Sequence, residues 1–189
     1  MRRAVAVLIG VTIAMTSLSA CTETPSMNNT YQSGDGTVTE IKLMNRSASV
    51  SWSGIASDGL PLSSSNLQGV VTVINFWYAA CVACRVEMPD IVELAKEYEG
   101  KVQFVGVNVR DTADTANAFK RTFKINFPSI MDAESGDVVL AFTGVVTPSA
   151  VPTTLVIDRQ GRPAARILGV AEKATLKALI KTVYAEGAN

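Results

Sequence analysis

Val70-Val71-Thr72-Val73-Ile74-Asn75-Phe76-Trp77 runs through Tyr78-Ala79-Ala80 into Cys81-Val82-Ala83-Cys84-Arg85-Val86-Glu87-Met88-Pro89. The first segment is apolar almost throughout and rich in β-branched residues, which predicts a central strand buried on both faces. The second opens a helical period, with Ile91, Leu94, Ala95 and Tyr98 at i, i+3, i+4 and i+7. A C-x-x-C at the exit of a buried strand puts its first sulfur at a helix N-terminus. The unpaired backbone N–H groups and the helix dipole there favour a thiolate. A thiolate is the form that attacks disulfides, so this junction carries both the expected architecture and the expected chemistry.

Outward from the junction, Pro89 is expected to kink the helix and Gly100 to stop it. Val102 to Val109 reads as a second central strand. Asp111 or Thr112 caps a helix through Ala116, Phe119 and Phe123. Pro128 to Met131 reads as a short strand or connector, and Asp132 to Pro148 holds a short helix or strand around Val138 to Phe142. Thr153 to Asp158 is a strand, Arg159 to Arg162 a turn, and Pro163 to Leu168 the antiparallel return. A last amphipathic helix, Glu172 to Tyr184, puts Leu176, Leu179, Ile180 and Val183 on one face. Upstream, Val50, Trp52 and Ile55 pair with Leu60 to Leu62 across Ser57-Asp58-Gly59 as an N-terminal hairpin. Two strands joined through a helix lie parallel with a right-handed crossover. The whole is an α/β sandwich of mixed sheet with helices on both faces.

The 189 residues are 48% hydrophobic, enough for one well-filled domain. Lys+Arg and Asp+Glu both number 17, which gives no electrostatic case for nucleic acid. Histidine is absent, which removes Ser-His and Cys-His catalysis and every imidazole metal site. Residues 1–20 read as an export signal, with Arg2 and Arg3 ahead of an apolar stretch too short for a lasting membrane span. Leu18-Ser19-Ala20-Cys21 resembles a bacterial lipobox, in which the cysteine is lipidated; the alternative is an ordinary secretory signal with an incidental Cys21. Residues 21–46 then form a lipidated cysteine and polar tether, and 47–189 the domain. With Cys21 given to lipid, Cys81 and Cys84 remain as one close pair that staples almost nothing, which points to chemistry. Half a zinc site is the competing reading, but the other ligands are missing, so no metal is expected.

The order of elements, Asn75-Phe76-Trp77, the Cys81 to Pro89 run and Val151-Pro152-Thr153-Thr154-Leu155-Val156-Ile157-Asp158 together resemble the TlpA/ResA-like family of exported thiol–disulfide oxidoreductases over roughly residues 47–187. The resemblance implies a thioredoxin-like three-layer sandwich with an extra N-terminal β-hairpin. It implies Cys81 as the exposed attacking cysteine, Cys84 as the shielded resolving one, and no cofactor beyond their disulfide. It implies a cis Pro152 beside the active site, with the Val151 backbone open to a substrate segment. Trp77 and Phe76 read as core and rim packing first, with substrate contact as the alternative that makes Trp77 the third candidate substrate-binding residue. A Glu at the position of Glu87 is associated in the family with the proton of the deeper cysteine; otherwise Glu87 is a solvated residue of the first turns. General thioredoxins have Asp where this chain has Asn75, and an amide exchanges no proton at neutral pH. Arg85 either supports the thiolate or points into solvent. Ala80 and Val82-Ala83 depart from common thioredoxin patterns, so the direction of electron flow is open.

The resemblance implies protein disulfides as substrates, apocytochrome c types among them, with a membrane electron donor and a lipid anchor. Disulfide formation is the runner-up within the class. A peroxiredoxin would have Thr three residues before the reactive cysteine, where this chain has Tyr78. A redox-gated adaptor is the non-enzymatic alternative.

Overall fold

The computed structural model describes residues 28–33, 36–145 and 150–187. The export signal and Cys21 lie outside them. In chain order the strands are β1 (Asn28–Ser33), β2 (Gly36–Ile41), β3 (Ser53–Ile55), β4 (Pro61–Ser63), β5 (Val71–Trp77), β6 (Val102–Asn108), β7 (Ser129–Met131), β8 (Thr153–Ile157) and β9 (Pro163–Leu168). The helices are α1 (Val82–Glu97), α2 (Ala113–Phe123), α3 (Asp137–Ala141) and α4 (Lys173–Ala185).

Among the described residues, seven strands form one mixed sheet in the order β1-β2-β9-β8-β5-β6-β7. β5 lies deep within it and is buried at every position. It pairs in parallel with β6, Val71 facing Val102 and Trp77 facing Asn108. On its other side it pairs antiparallel with β8, Asn75 facing Thr154 and Phe76 facing Thr153. This is the mixed sheet expected from the βα alternation and the closing hairpin.

Strand alternation divides the core into two. Val71, Val73 and Trp77 join Met88, Ile91 and Leu94 of α1, Phe119 of α2 and Leu176 and Ile180 of α4. Ile74 and Phe76 face the other way, toward Trp52, Val138 of α3 and Phe142. Helices therefore cover both faces, but the second face relies on one short helix, Trp52 and the loop beside it.

β3 and β4 form the expected N-terminal hairpin, as a separate two-stranded sheet. Residues 28–41 correct the expected tether. β1 and β2 pair antiparallel, and β2 adds to β9 with Val38 facing Ile167. Val38 is fully buried there, which gives this otherwise polar hairpin an apolar anchor.

α1 runs unbroken through Pro89. Thr112 caps α2, its hydroxyl accepting from the Thr115 N–H, so Asp111 is left for another task. Arg46 crosses from the segment before β3 to Asp158 at 3.0 Å and Glu186 at 2.6 Å, tying both ends of the domain together.

Candidate active site

Cys81 is the N-cap of α1, and Cys84 lies one turn inside it. The two form a disulfide with Cα atoms 5.3 Å apart. The Cys84 backbone N–H donates to Cys81 Sγ at 3.0 Å. No acidic side chain occupies the first turn, so the positive helix end acts on this sulfur without a competing carboxylate. Cys81 keeps 5% of its surface accessible and Cys84 keeps none. The expected order of access holds, though Cys81 is more covered than a fully exposed helix start would be, because it packs into the same apolar cluster as Cys84 and Met88.

The loop entering the helix is held at several points. Cys81 N–H donates to the Tyr78 carbonyl at 3.2 Å, and Val109 N–H to the Trp77 carbonyl at 3.1 Å. Asp111 Oδ2 accepts from Ala79 N–H at 2.6 Å and from Asn108 Nδ2 at 2.7 Å. Arg110 lies 4.3 Å from the Tyr78 ring centre. Arg85 is exposed, as one of its two expected placements had it, and its guanidinium is also tied to the protein. It donates to the Ala79 carbonyl at 3.2 Å and lies over the Phe119 and Phe123 rings.

Glu87 is not a solvated residue: it retains only 1% of its surface. Its Oε1 accepts from Asn75 Nδ2 at 2.7 Å and its Oε2 from the Ala171 backbone N–H at 2.7 Å. Burial pushes its pKa up to about 7, with the two hydrogen bonds pulling the other way. Glu87 and Cys84, three residues apart on one helix, share a face. A carboxyl poised near neutrality thus sits on the same helix face as the deeper sulfur, one turn further along α1.

The Val151–Pro152 peptide bond is cis. The register that sets Phe76 opposite Thr153 brings Pro152 alongside Trp77, at the strand end from which the chain leaves for Cys81. Val151 is half-buried against the cluster that contains both cysteines. Among the described residues its backbone N–H and carbonyl make no hydrogen bond.

Trp77 is withdrawn as a substrate contact. It has no exposed surface and stacks on Phe119 with centroids 4.6 Å apart. Its place in β5 turns it inward against α2, so it supports the junction from below. Sequence reasoning missed the Asp111 clamp on Ala79, the Ala171 N–H and the donor role of Asn75. Asp111 stood out only as a possible cap, and a backbone N–H contributed by the segment before α4 leaves no trace in residue type.

Residues 46–163 match the AhpC/TSA family profile. The chain is 27% identical over 127 residues to the thiol-disulfide oxidoreductase ResA of Bacillus anthracis, covering 67% of this chain and 70% of that one. It is 32% identical over 110 residues to the thiol:disulfide interchange protein HelX of Rhodobacter capsulatus, covering 58% of each. A DsbF homologue from Corynebacterium diphtheriae superposes with a TM-score of 0.72 at 29% identity, over 80% of this chain and 96% of that one. A secreted thiol-disulfide isomerase from Corynebacterium glutamicum also gives 0.72, at 26% identity over 84% and 99%.

Proposed function

This chain belongs to the AhpC/TSA family and is a thiol–disulfide oxidoreductase of the ResA and DsbE type, and from that premise we propose that it reduces disulfides of exported proteins while tethered to a membrane through Cys21. The observation that carries this reading is the layering at the start of α1. One sulfur is reachable at the helix end, the second is fully buried beneath it, and a buried carboxyl follows one turn on.

The reaction balances on these groups. The Cys81 thiolate attacks one sulfur of a substrate disulfide, forming a mixed disulfide and releasing the other substrate sulfur as a thiolate. Cys84 gives its proton to the Glu87 carboxylate and attacks Cys81 Sγ. The second substrate thiolate leaves, the substrate has gained two electrons, and the Cys81–Cys84 disulfide has formed. Glu87 returns its proton to solvent. A membrane electron donor then restores the dithiol, which needs no other cofactor. The open Val151 backbone beside Pro152 suits an extended substrate segment, which would pair with it as an added strand.

Export fits the signal-like residues 1–20 and the secreted Corynebacterium relative. No helix among the described residues is long and apolar enough to cross a membrane. The lipobox-like Leu18-Ser19-Ala20-Cys21 supports anchoring through lipid on Cys21. Exported disulfides, apocytochrome c types included, are the substrate class that the ResA resemblance suggests.

The test is Cys84→Ser in the full chain. Mixed disulfides through Cys81 should accumulate on non-reducing gels, and mass spectrometry should identify partners among exported proteins. An absence of covalent partners counts against the reading. Disulfide formation is the second reading, favoured by the uncompensated helix end, since a stabilised thiolate makes a pair more oxidising. A reduction potential near about −270 mV supports the reductase, and one near about −120 mV the oxidase.

A further inference from the structure

Asn75 occupies the middle of β5 and retains 1% of its surface. Its Nδ2 carries two hydrogens, and both are used: one goes to Glu87 Oε1 at 2.7 Å, the other to Thr154 Oγ1 at 3.0 Å. Its Oδ1 has no partner among the described residues. A buried carbonyl left without a donor is costly, and a residue serving the fold alone would avoid that cost with an apolar side chain of similar size. The amide is turned so that its donor end serves the carboxyl, at the expense of its acceptor end.

We infer that Asn75 is a positioning residue, holding the ionised Glu87 carboxylate in place as the acceptor of the Cys84 proton. This rests on the proton-accepting role proposed above for Glu87. The Ala171 N–H is fixed by the backbone, so Asn75 is the side chain that tunes the site. Thr154, directly opposite in the β5–β8 register, holds the amide against rotation.

The groups around Glu87 leave this task to Asn75. β5 and β8 present Asn75 and Thr154, neither of which titrates. The segment before α4 presents the Ala171 backbone, followed by Glu172 at the helix cap. From α4, Lys173 and Lys177 pair with Glu93 and Glu97 of α1 at the surface. Arg85 lies over Phe119 and Phe123 of α2. Asp90, on the next turn of α1, is half-buried. Burial and the two N–H donors are the influences that set the ionisation of Glu87.

The experiment is stopped-flow oxidation of the reduced full chain by excess oxidised glutathione between pH 5 and 9. Release of the second glutathione, as Cys84 attacks the Cys81 adduct, is the step measured. Asn75→Leu keeps the volume and removes the donor. Its pH midpoint should rise by about one to two units, the scale of one lost hydrogen bond to a charged acceptor. Loss of stability with the midpoint unmoved reduces Asn75 to a structural residue and overturns the inference. Glu87→Gln separates the two claims. If its pH step persists, the role of Glu87 itself fails. If the step vanishes there but stands unmoved in Asn75→Leu, only the positioning role fails. The unaltered protein gives an independent reading should Asn75→Leu not fold: by NMR, the Asn75 side-chain amide protons should titrate with the same midpoint as the rate. Amide shifts that stay constant across the range overturn the inference.

Discussion

Replacing Glu87 with Gln measures what it costs the fold to keep an acid in its core. Burial raises the Glu87 pKa from 4.5 to about 7. In the unfolded chain the proton is released in the ordinary carboxylate range, about 4.3. Between these values the native state binds more protons than the unfolded one, so stability falls as pH rises through the window. The contribution is fully present below pH about 4.5 and gone above about 7. At about 1.4 kcal/mol per pH unit the loss amounts to about 3 kcal/mol. Gln carries no titrating proton. It can accept from only one of the Asn75 and Ala171 donors, which adds a cost that does not vary with pH. Urea unfolding of the oxidised protein from pH 4 to 8 gives stability at each point, with both cysteines held out of the titration by their disulfide. Subtracting the Glu87→Gln curve cancels the other carboxylates. The difference should fall by about 3 kcal/mol between pH 4.5 and 7. A flat difference would refute the argument that burial dominates this site, and an opposite slope would place the Glu87 pKa below its ordinary value.

Gly106→Ala should destabilise the protein by about 1–3 kcal/mol. Its Cβ would lie 2.5 Å from Ser129 Oγ and 2.7 Å from Trp77 Nε1, and a lower urea midpoint with unchanged m-value is the expected result. Asp111→Ala frees the Ala79 N–H two residues before Cys81. The expected outcome is slower attack by Cys81 on a small disulfide, with the urea midpoint shifted by no more than about 2 kcal/mol equivalent; an unchanged attack rate would show that the loop is held elsewhere. Arg46→Ala strips a buried Asp158 of one of its two cationic partners, the other being Arg162 at 2.8 Å. A loss of about 3 kcal/mol in unfolding free energy is expected.

Short-range signals were legible. The β5 to α1 junction, the C-x-x-C at a helix start and the β8–β9 hairpin each depend on residues close in sequence, and each was read from pattern and turn chemistry. The sequence leaves Glu87 between two readings because its environment is assembled from afar. Its partners are Asn75, 12 residues away, and Ala171, 84 residues away. The sequence leaves Trp77 open between packing and contact because its stacking partner, Phe119, arrives with α2. The β1–β2 hairpin hid in a polar, turn-rich stretch that resembles linker composition. Only Val38 supplies a buried apolar side chain among the residues of β2, and one such residue is too little for period-two alternation to register.

The β1–β2 hairpin changes how far the enzyme could roam. With lipid on Cys21 as proposed, a leash over residues 21–46 would stretch to about 85 Å and let the disulfide sweep a wide shell above the bilayer. Because Asn28 already belongs to a strand, a leash from a lipidated Cys21 would be short, reaching about 25 Å at most. Under that proposed anchoring the domain would be confined to a thin layer near the lipid surface, where it would meet partners that are themselves held at the membrane far more often than those that diffuse freely.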